Sequence, residues 1–147
     1  MSNSPLVIER TFDAPVKAVW DAITDNKKIR QWYFDIADFK PQIGFEFTFT
    51  VEMNERQFVH LCKITDVITG KKLSYTWQYQ GVAGSSEVIW ELSPEGDKTK
   101  LKLTHKGIHS FPYATDRAFV PESFSNGWHH FLDKALPAYL EKEKVTV

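Results

Sequence analysis

Histidine is the residue type in this chain best suited to chemistry near neutral pH, because it ligates metals and transfers protons. The chain has five histidines. His129 and His130 are neighbours in a predicted helix, so their side chains point about 100° apart and cannot chelate one ion together. His105 and His109 are four residues apart, but they fall at a strand end and in a loop, which weakens the pair as metal ligands. We therefore expect no metal site and no cofactor.

Other residue types used in catalysis form no recognisable motif. The chain contains no G-x-S-x-G nucleophile elbow, no Gly-rich phosphate loop and no paired-cysteine zinc pattern. Cys62 has no basic neighbour and is interpreted as a small buried hydrophobic residue. His60 and His105 share strand parities with apolar residues. Two interpretations stay open for them: core histidines bonded to backbone carbonyls, or polar groups that orient a ligand.

Arg10 is the charged residue that breaks a pattern, because it lies on the same strand parity as Ile8 and Phe12. The two interpretations are a salt bridge and an anchor for an anionic head group. The salt bridge is favoured, because buried charges are nearly always paired.

Hydrophobic periodicity predicts the elements that position these residues. Alternating apolar residues predict strands over Leu6–Phe12, Phe45–Val51, Gln57–Ile68, Leu73–Tyr79, Val88–Leu92 and Leu101–His105. The alternation slips within Gln57–Ile68, which predicts a bulge or a strong bend. Helical spacing predicts a short helix after Pro15, a second short helical segment at residues 29–33, and a long helix from near Ser123 to Tyr139. Pro137 is expected to kink or loosen the last turns of that helix.

The order of these elements predicts the fold. Each strand has one apolar face, and the C-terminal helix is the only element large enough to cover those faces. We therefore predict an α+β helix-grip fold, in which a curved antiparallel sheet of about six strands wraps around a long C-terminal helix. Two short helices follow the first strand, and residues 1–147 form a single domain.

Composition excludes several classes of partner. Lys plus Arg number 18 and Asp plus Glu number 19, interspersed along the chain, so we expect no nucleic-acid binding. No apolar run approaches the ~20 residues of a spanning helix, so no membrane insertion is expected. A single cysteine and an N-terminus without a leader pattern predict a cytoplasmic protein.

Several segments carry a family likeness. Residues 8–24 (IERTFDAPVKAVWDAIT), followed by Trp32, resemble the opening of START-like (SRPBCC) proteins, in the branch similar to the activator of the Hsp90 ATPase. Residues 73–77 (LSYTW), residues 101–105 (LKLTH) and the Gly127-Trp128 pair fall at matching places. The likeness covers almost the whole chain and implies the helix-grip fold. It also implies that the scaffold could serve lipid carriage, hormone reception, aromatic cyclisation or, with a heat-shock-class chaperone as partner, a co-chaperone role in stress response.

A curved sheet and a straight helix rarely fit everywhere, so large rings either line the space between them or fill it. Both outcomes stay open. The candidate ligand-binding residues are Trp32, Phe47, Phe49, His60, Tyr75, Trp77, Trp90, His105, Phe119, Trp128 and Phe131. The favoured function is a non-enzymatic domain that binds a small hydrophobic or aromatic molecule. The alternatives are a co-chaperone-like interaction domain and an enzyme of the cyclase or hydrolase type, with His60, His105 or Tyr75 as acid or base.

The segment from Gly107 to Pro121 lacks a steady period and lies between the last strand and the long helix. A helix-grip fold places such a segment near one mouth of the concave space. We predict that it is more mobile than the strands and that Phe119 or Tyr113 faces the mouth. The alternative is that its aromatic rings pin the segment to the core.

Overall fold

A computed structural model describes residues 5–36, 38–53 and 55–145 of the chain. The strands are β1 (Leu6–Phe12), β2 (Glu46–Met53), β3 (Arg56–Ile68), β4 (Lys72–Tyr79), β5 (Ser86–Glu95) and β6 (Lys98–Lys106). The helices are α1 (Val16–Thr24), α2 (Asn26–Trp32), α3 (Pro121–His130) and α4 (Leu136–Val145). A π turn at Phe131–Ala135 joins α3 to α4, so these three segments form one continuous C-terminal helix.

The six strands form one antiparallel sheet in the order β1-β6-β5-β4-β3-β2. Strands β2 to β6 follow each other as a meander, and β1 pairs with β6 along its whole length. The first and last strands of the chain are therefore neighbours, and β1 and β2 form the two edges. The predicted α+β helix-grip architecture is confirmed.

Side-chain alternation explains which face of the sheet is covered. In β2, Phe47 and Phe49 are buried while Glu46, Thr48 and Thr50 are exposed. The slipped alternation in β3 corresponds to a shift in the β3–β4 register between Ile64 and Asp66, as predicted. Strands therefore bury a single face, and that face lies against the C-terminal helix.

Pro137 was expected to kink or loosen the last turns of the helix, but α4 continues through it to Val145, and the irregularity lies just before it, in the π turn. The backbone N–H of Leu136 bonds to the carbonyl of Phe131, five residues earlier. Proline has no N–H to donate, so it leaves the carbonyl four residues before it without a helical partner. Asp133 in this turn forms the salt bridge expected for Arg10, with 2.6 Å between Arg10 Nε and Asp133 Oδ1. The middle of the C-terminal helix is thereby tied to the edge strand β1.

The connection from β6 to α3 is more ordered than its lack of period suggested. It contains two 3₁₀ turns, at Ile108–Ser110 and Arg117–Phe119. Phe111 and Phe119 are buried, while Tyr113 is 43% exposed. Among the described residues, no helix combines the length and the hydropathy that crossing a bilayer requires.

Candidate functional site

A cavity of about 290 Å³ lies between the sheet and the first half of the C-terminal helix. It is partly open to solvent. Strands β2, β3 and β4 supply one wall, α3 and the first residue of the π turn supply another, and residues from two loops complete it. The lining residues are Phe34, Val51, Met53, Phe58, His60, Trp77, Tyr79, Ala118, Phe119, Ser123, Phe124, Gly127, Trp128, His130 and Phe131.

The wall of this cavity is aromatic and carries no Lys, Arg, Asp or Glu among the described residues. Two histidines line it: His60 is buried within the wall, and His130 is exposed at the rim. An aromatic surface of this kind favours the burial of apolar rings, through offset and edge-to-face contacts. The geometry is that of a binding cavity for a small apolar molecule.

Five of the predicted site residues border the cavity, namely His60, Trp77, Phe119, Trp128 and Phe131. Four others surround a separate void of only about 10 Å³, and these are Trp32, Phe47, Tyr75 and Trp90. Phe49 and His105 border neither space and lie behind residues of the wall. Strand parity places all of these residues on the concave face, but it does not tell where along that face the space is filled.

Tyr33 and Phe34, which directly follow α2, fill the space between the two voids. The Phe34 ring stacks on Phe49 with centroids 4.4 Å apart, and the Tyr33 ring lies 4.8 Å from Phe131. Phe34 borders the cavity and Tyr33 borders the small void. We call this pair the aromatic plug. The concave space is therefore filled at one end and open at the other. Large rings fill the half around the small void, and large rings line a cavity in the half beside α3.

His105 is the centre of a buried hydrogen-bond chain that orients two walls of the cavity. The indole N–H of Trp128 donates to His105 Nδ1 at 3.0 Å, so the imidazole proton resides on Nε2. That N–H donates to the hydroxyl of Ser86 at 2.8 Å, and Ser86 donates to the carbonyl of Trp77 at 2.9 Å. Burial lowers the pKa of His105 to about 3. His105 is thus a neutral core histidine that holds α3 against β4 and β5.

His60 borders the cavity but is also held by the backbone. Its Nδ1–H donates to the carbonyl of Phe58 at 3.0 Å, and its ring stacks on Phe49 with centroids 4.3 Å apart. Burial lowers the pKa of His60 to about 4, and hydrogen bonding to the backbone of Phe58 and Phe49 only partly opposes this effect. The imidazole is therefore neutral at pH 7 and adds no positive charge to the wall.

Trp77 and Tyr79 are successive inward-facing residues of β4. The indole N–H of Trp77 donates to the hydroxyl of Tyr79 at 2.9 Å. Burial raises the pKa of Tyr79 to about 12, so the phenol keeps its proton at neutral pH. Tyr79 brings a hydroxyl into an otherwise apolar region of the wall.

A salt bridge lies beside the mouth of the cavity. Both terminal nitrogens of Arg56, at the start of β3, donate to Asp116, at 3.1 and 2.9 Å. Asp116 also accepts the backbone N–H of Ala118, and the guanidinium lies 4.5 Å from the centre of the Phe58 ring. Phe119 borders the cavity as expected, whereas Tyr113 does not. The greater mobility of this segment stays a prediction.

Sequence reasoning missed ten residues of the wall, and some of them carried a signal. Phe58 and Tyr79 share the parities of His60 and Trp77, so the same alternation argument includes them. Small residues are harder to recognise as part of a cavity wall, because no pattern in the sequence distinguishes a small residue that borders a cavity from one that does not. The missed residues are Phe34, Val51, Met53, Phe58, Tyr79, Ala118, Ser123, Phe124, Gly127 and His130.

The described residues contain no group of three or more His, Cys, Asp or Glu side chains that could hold a metal ion. Cys62 is buried. Burial raises the pKa of its thiol far above the ordinary range, as expected for a packing residue and not for a nucleophile.

The family model for the activator of Hsp90 ATPase homolog 1-like protein matches residues 13–141. The chain belongs to this family. The matched segment begins just after β1 and includes every residue of the cavity wall. Among proteins with curated descriptions, none matches its sequence.

Solved structures agree with the START-like fold of this family. The chain is similar to protein MLL2253 of Mesorhizobium loti, with 27% identity, a TM-score of 0.77, and coverage of 94% of this chain and 97% of that one. It is also similar to CalU16 of Micromonospora echinospora, with 28% identity, a TM-score of 0.67, and coverage of 97% and 79%. Protein CV1439 of Chromobacterium violaceum, at 19% identity, matches with a TM-score of 0.79 over 95% and 99%.

Proposed function

We propose that this chain is a non-enzymatic binding domain that holds a small hydrophobic or aromatic molecule between the sheet and the C-terminal helix. The observation that carries the proposal is the cavity of about 290 Å³, walled by aromatic side chains and free of carboxylate and cationic side chains among the described residues. Cavities that bind small molecules start at about 300 Å³. The ligand is therefore small.

The orientation of the wall supports binding in a preformed site. The ring of Trp128 is held by its hydrogen bond to His105, and the ring of Trp77 by its hydrogen bond to the Tyr79 hydroxyl. Aromatic rings fixed before the ligand arrives lose little conformational entropy on binding, which raises affinity.

An enzymatic role is disfavoured by the protonation states of the cavity groups. A general acid or base works best with a pKa near the operating pH. Burial lowers the pKa of His60 to about 4 and raises that of Tyr79 to about 12, so both move away from neutrality. His105, the other buried histidine, has both ring nitrogens engaged in hydrogen bonds behind the wall.

Native mass spectrometry of the purified protein tests the proposal by detecting a small molecule trapped from the expression host. Thermal-shift screening against fatty acids, sterols and aromatic polyketides complements it, because a ligand that binds the native state raises the melting temperature. A protein that retains no molecule and gains no stability from any compound would remove the proposal.

Membership of the family supports a second candidate, a domain that docks onto a heat-shock-class chaperone and stimulates its ATPase. A pull-down and an ATPase assay with the chaperone from the same cell test it. If neither binding nor stimulation occurs at tens of micromolar protein, this candidate is removed, while ligand binding is unaffected by that result.

A further inference from the structure

We propose that the cavity selects uncharged aromatic molecules that carry a hydrogen-bond acceptor, such as a ketone or aldehyde oxygen, and that the Tyr79 hydroxyl donates to that acceptor. This inference rests on the proposed binding function and specifies the class of ligand. It follows from two properties of the wall: its lack of formal charge and the state of its one buried phenol.

The Tyr79 hydroxyl has a proton to donate. Its oxygen accepts the indole N–H of Trp77 at 2.9 Å. Within the described residues, the phenol proton donates to no side chain or backbone group, although only 9% of Tyr79 is exposed. Buried donors are nearly always paired in folded proteins. A ligand oxygen placed against Tyr79 would supply the missing acceptor.

The hydroxyls of Tyr33 and Tyr75 lie at the small void and not at the cavity. Tyr75 accepts the indole N–H of Trp90 at 3.1 Å and lies 3.2 Å from the hydroxyl of Tyr33. These residues border the void of about 10 Å³, which is too small for a ligand and is separated from the cavity by the aromatic plug. Tyr75 is therefore a matched control for Tyr79.

Charge on the ligand is disfavoured by the wall. A carboxylate in the cavity would lose its hydration without meeting a cation, since neither Lys nor Arg lines the wall within the described part of the chain and His60 is neutral. The negative faces of the surrounding rings also disfavour anions. Those faces attract cations, but a cation offers no acceptor to Tyr79 and meets no carboxylate in this wall.

The charged and titratable side chains near the mouth of the cavity do not change the preference for an uncharged ligand. Arg56 lies beside the mouth and is paired with Asp116 through two hydrogen bonds. His130 is exposed at the rim, where water screens interactions between charges. The selection therefore depends on the buried wall.

Four probes with one ring skeleton test the proposal: 2-acetylnaphthalene, 2-ethylnaphthalene, 2-naphthoate and 2-naphthyltrimethylammonium. Dissociation constants come from calorimetry, and the five indole N–H signals in NMR spectra report where each probe binds. We expect the ketone to bind roughly three- to tenfold more tightly than its hydrocarbon analogue, because water also accepts hydrogen bonds from an empty site. The anion and the cation should each bind at least about tenfold more weakly than the ketone. The ketone should also shift the Trp77 indole signal.

The variant Tyr79→Phe should abolish the preference for the ketone and retain binding of the hydrocarbon, while Tyr75→Phe should retain both. Each preference is a ratio measured within one variant, so a loss of stability does not affect it. The inference is overturned if the naphthoate or the ammonium probe binds as tightly as the ketone, or if the preference survives in Tyr79→Phe. Failure of all four probes to bind the natural protein would overturn the proposed function as well.

Discussion

Gly127 offers a way to separate the stability of this protein from its capacity to bind a ligand. It lies inside α3, where glycine destabilises a helix by about 1 kcal/mol relative to alanine. Its backbone is helical, so no left-handed conformation requires glycine there. Apart from its chain neighbours and the backbone of its own helix, a Cβ added at Gly127 would meet no heavy atom of the described residues within 4 Å. Packing and backbone geometry therefore both permit a larger residue.

We expect Gly127→Ala to stabilise the protein by about 1 kcal/mol, which for a domain of this size raises the melting temperature by about 2–4 °C. Gly127→Leu gains similar helix propensity, and we expect its side chain to extend towards the cavity, which Gly127 borders at an exposed position of the wall. The leucine variant should be at least as stable as the natural protein and should bind 2-ethylnaphthalene at least about tenfold more weakly.

Thermal unfolding followed by circular dichroism, together with calorimetric titration of the probe, measures both effects. Asn126→Leu is the matched control, because Asn126 is exposed on the same helix and does not border the cavity. It should leave probe binding unchanged. A lower melting temperature for Gly127→Ala would show that the glycine serves the fold, and full probe affinity in Gly127→Leu would refute the position of the site.

Three further predictions concern the mouth, pH and the thiol. Asp116→Asn should weaken the contact with Arg56 and accelerate dissociation of the probe from the protein, measured by stopped flow. Addition of 1 M NaCl should accelerate this dissociation less in the variant than in the natural protein. His60 and His105 have pKa values of about 4 and 3, so below about pH 6.5 the unfolded chain binds protons that the folded protein does not. The free energy of unfolding should fall by about 3 kcal/mol for each histidine between pH 7 and pH 4, and urea titrations of His60→Gln should show a shallower fall. Cys62 is buried, so thiol reagents should label it at the rate of structural opening; rapid labelling of the native protein would contradict the described packing.

The sequence predicted the fold well because the fold depends on which face of each element is apolar. Phe47 and Phe49 alternate with polar residues in β2, and that alternation alone assigns them to the covered face. The strand boundaries were less accurate: β5 and β6 extend to Glu95 and Lys98, so their turn is tighter than the Ser-Pro-Glu-Gly-Asp segment suggested. Backbone pairing extends strands past the last apolar residue, because hydrogen bonds do not depend on side-chain polarity.

The position of the cavity could not be predicted, because alternation is a local property and filling is a property of several elements together. Trp90 and Trp77 lie on the same face of neighbouring strands, yet only Trp77 borders the cavity. The difference arises from Tyr33, the residue directly after α2, whose ring lies 6.3 Å from that of Trp90, while Phe34 packs against Phe49 and Trp77 and borders the cavity. Helical spacing extends only to Tyr33, and no periodicity in the sequence marks Phe34 as part of the core.

Two features of the cavity support the proposed binding role over a packing defect. Small residues border it where larger ones would fit, most clearly Gly127, while the aromatic plug fills the same concave surface a few ångströms away. Empty apolar space lowers stability, since the lining atoms lose contacts that a filled core would provide. Stabilising substitutions that close such space are readily available to a protein and are excluded mainly where they reduce function. The hydrogen bonds that fix Trp77 and Trp128 in the wall act in the same direction, because they keep the rings from collapsing into the space between them.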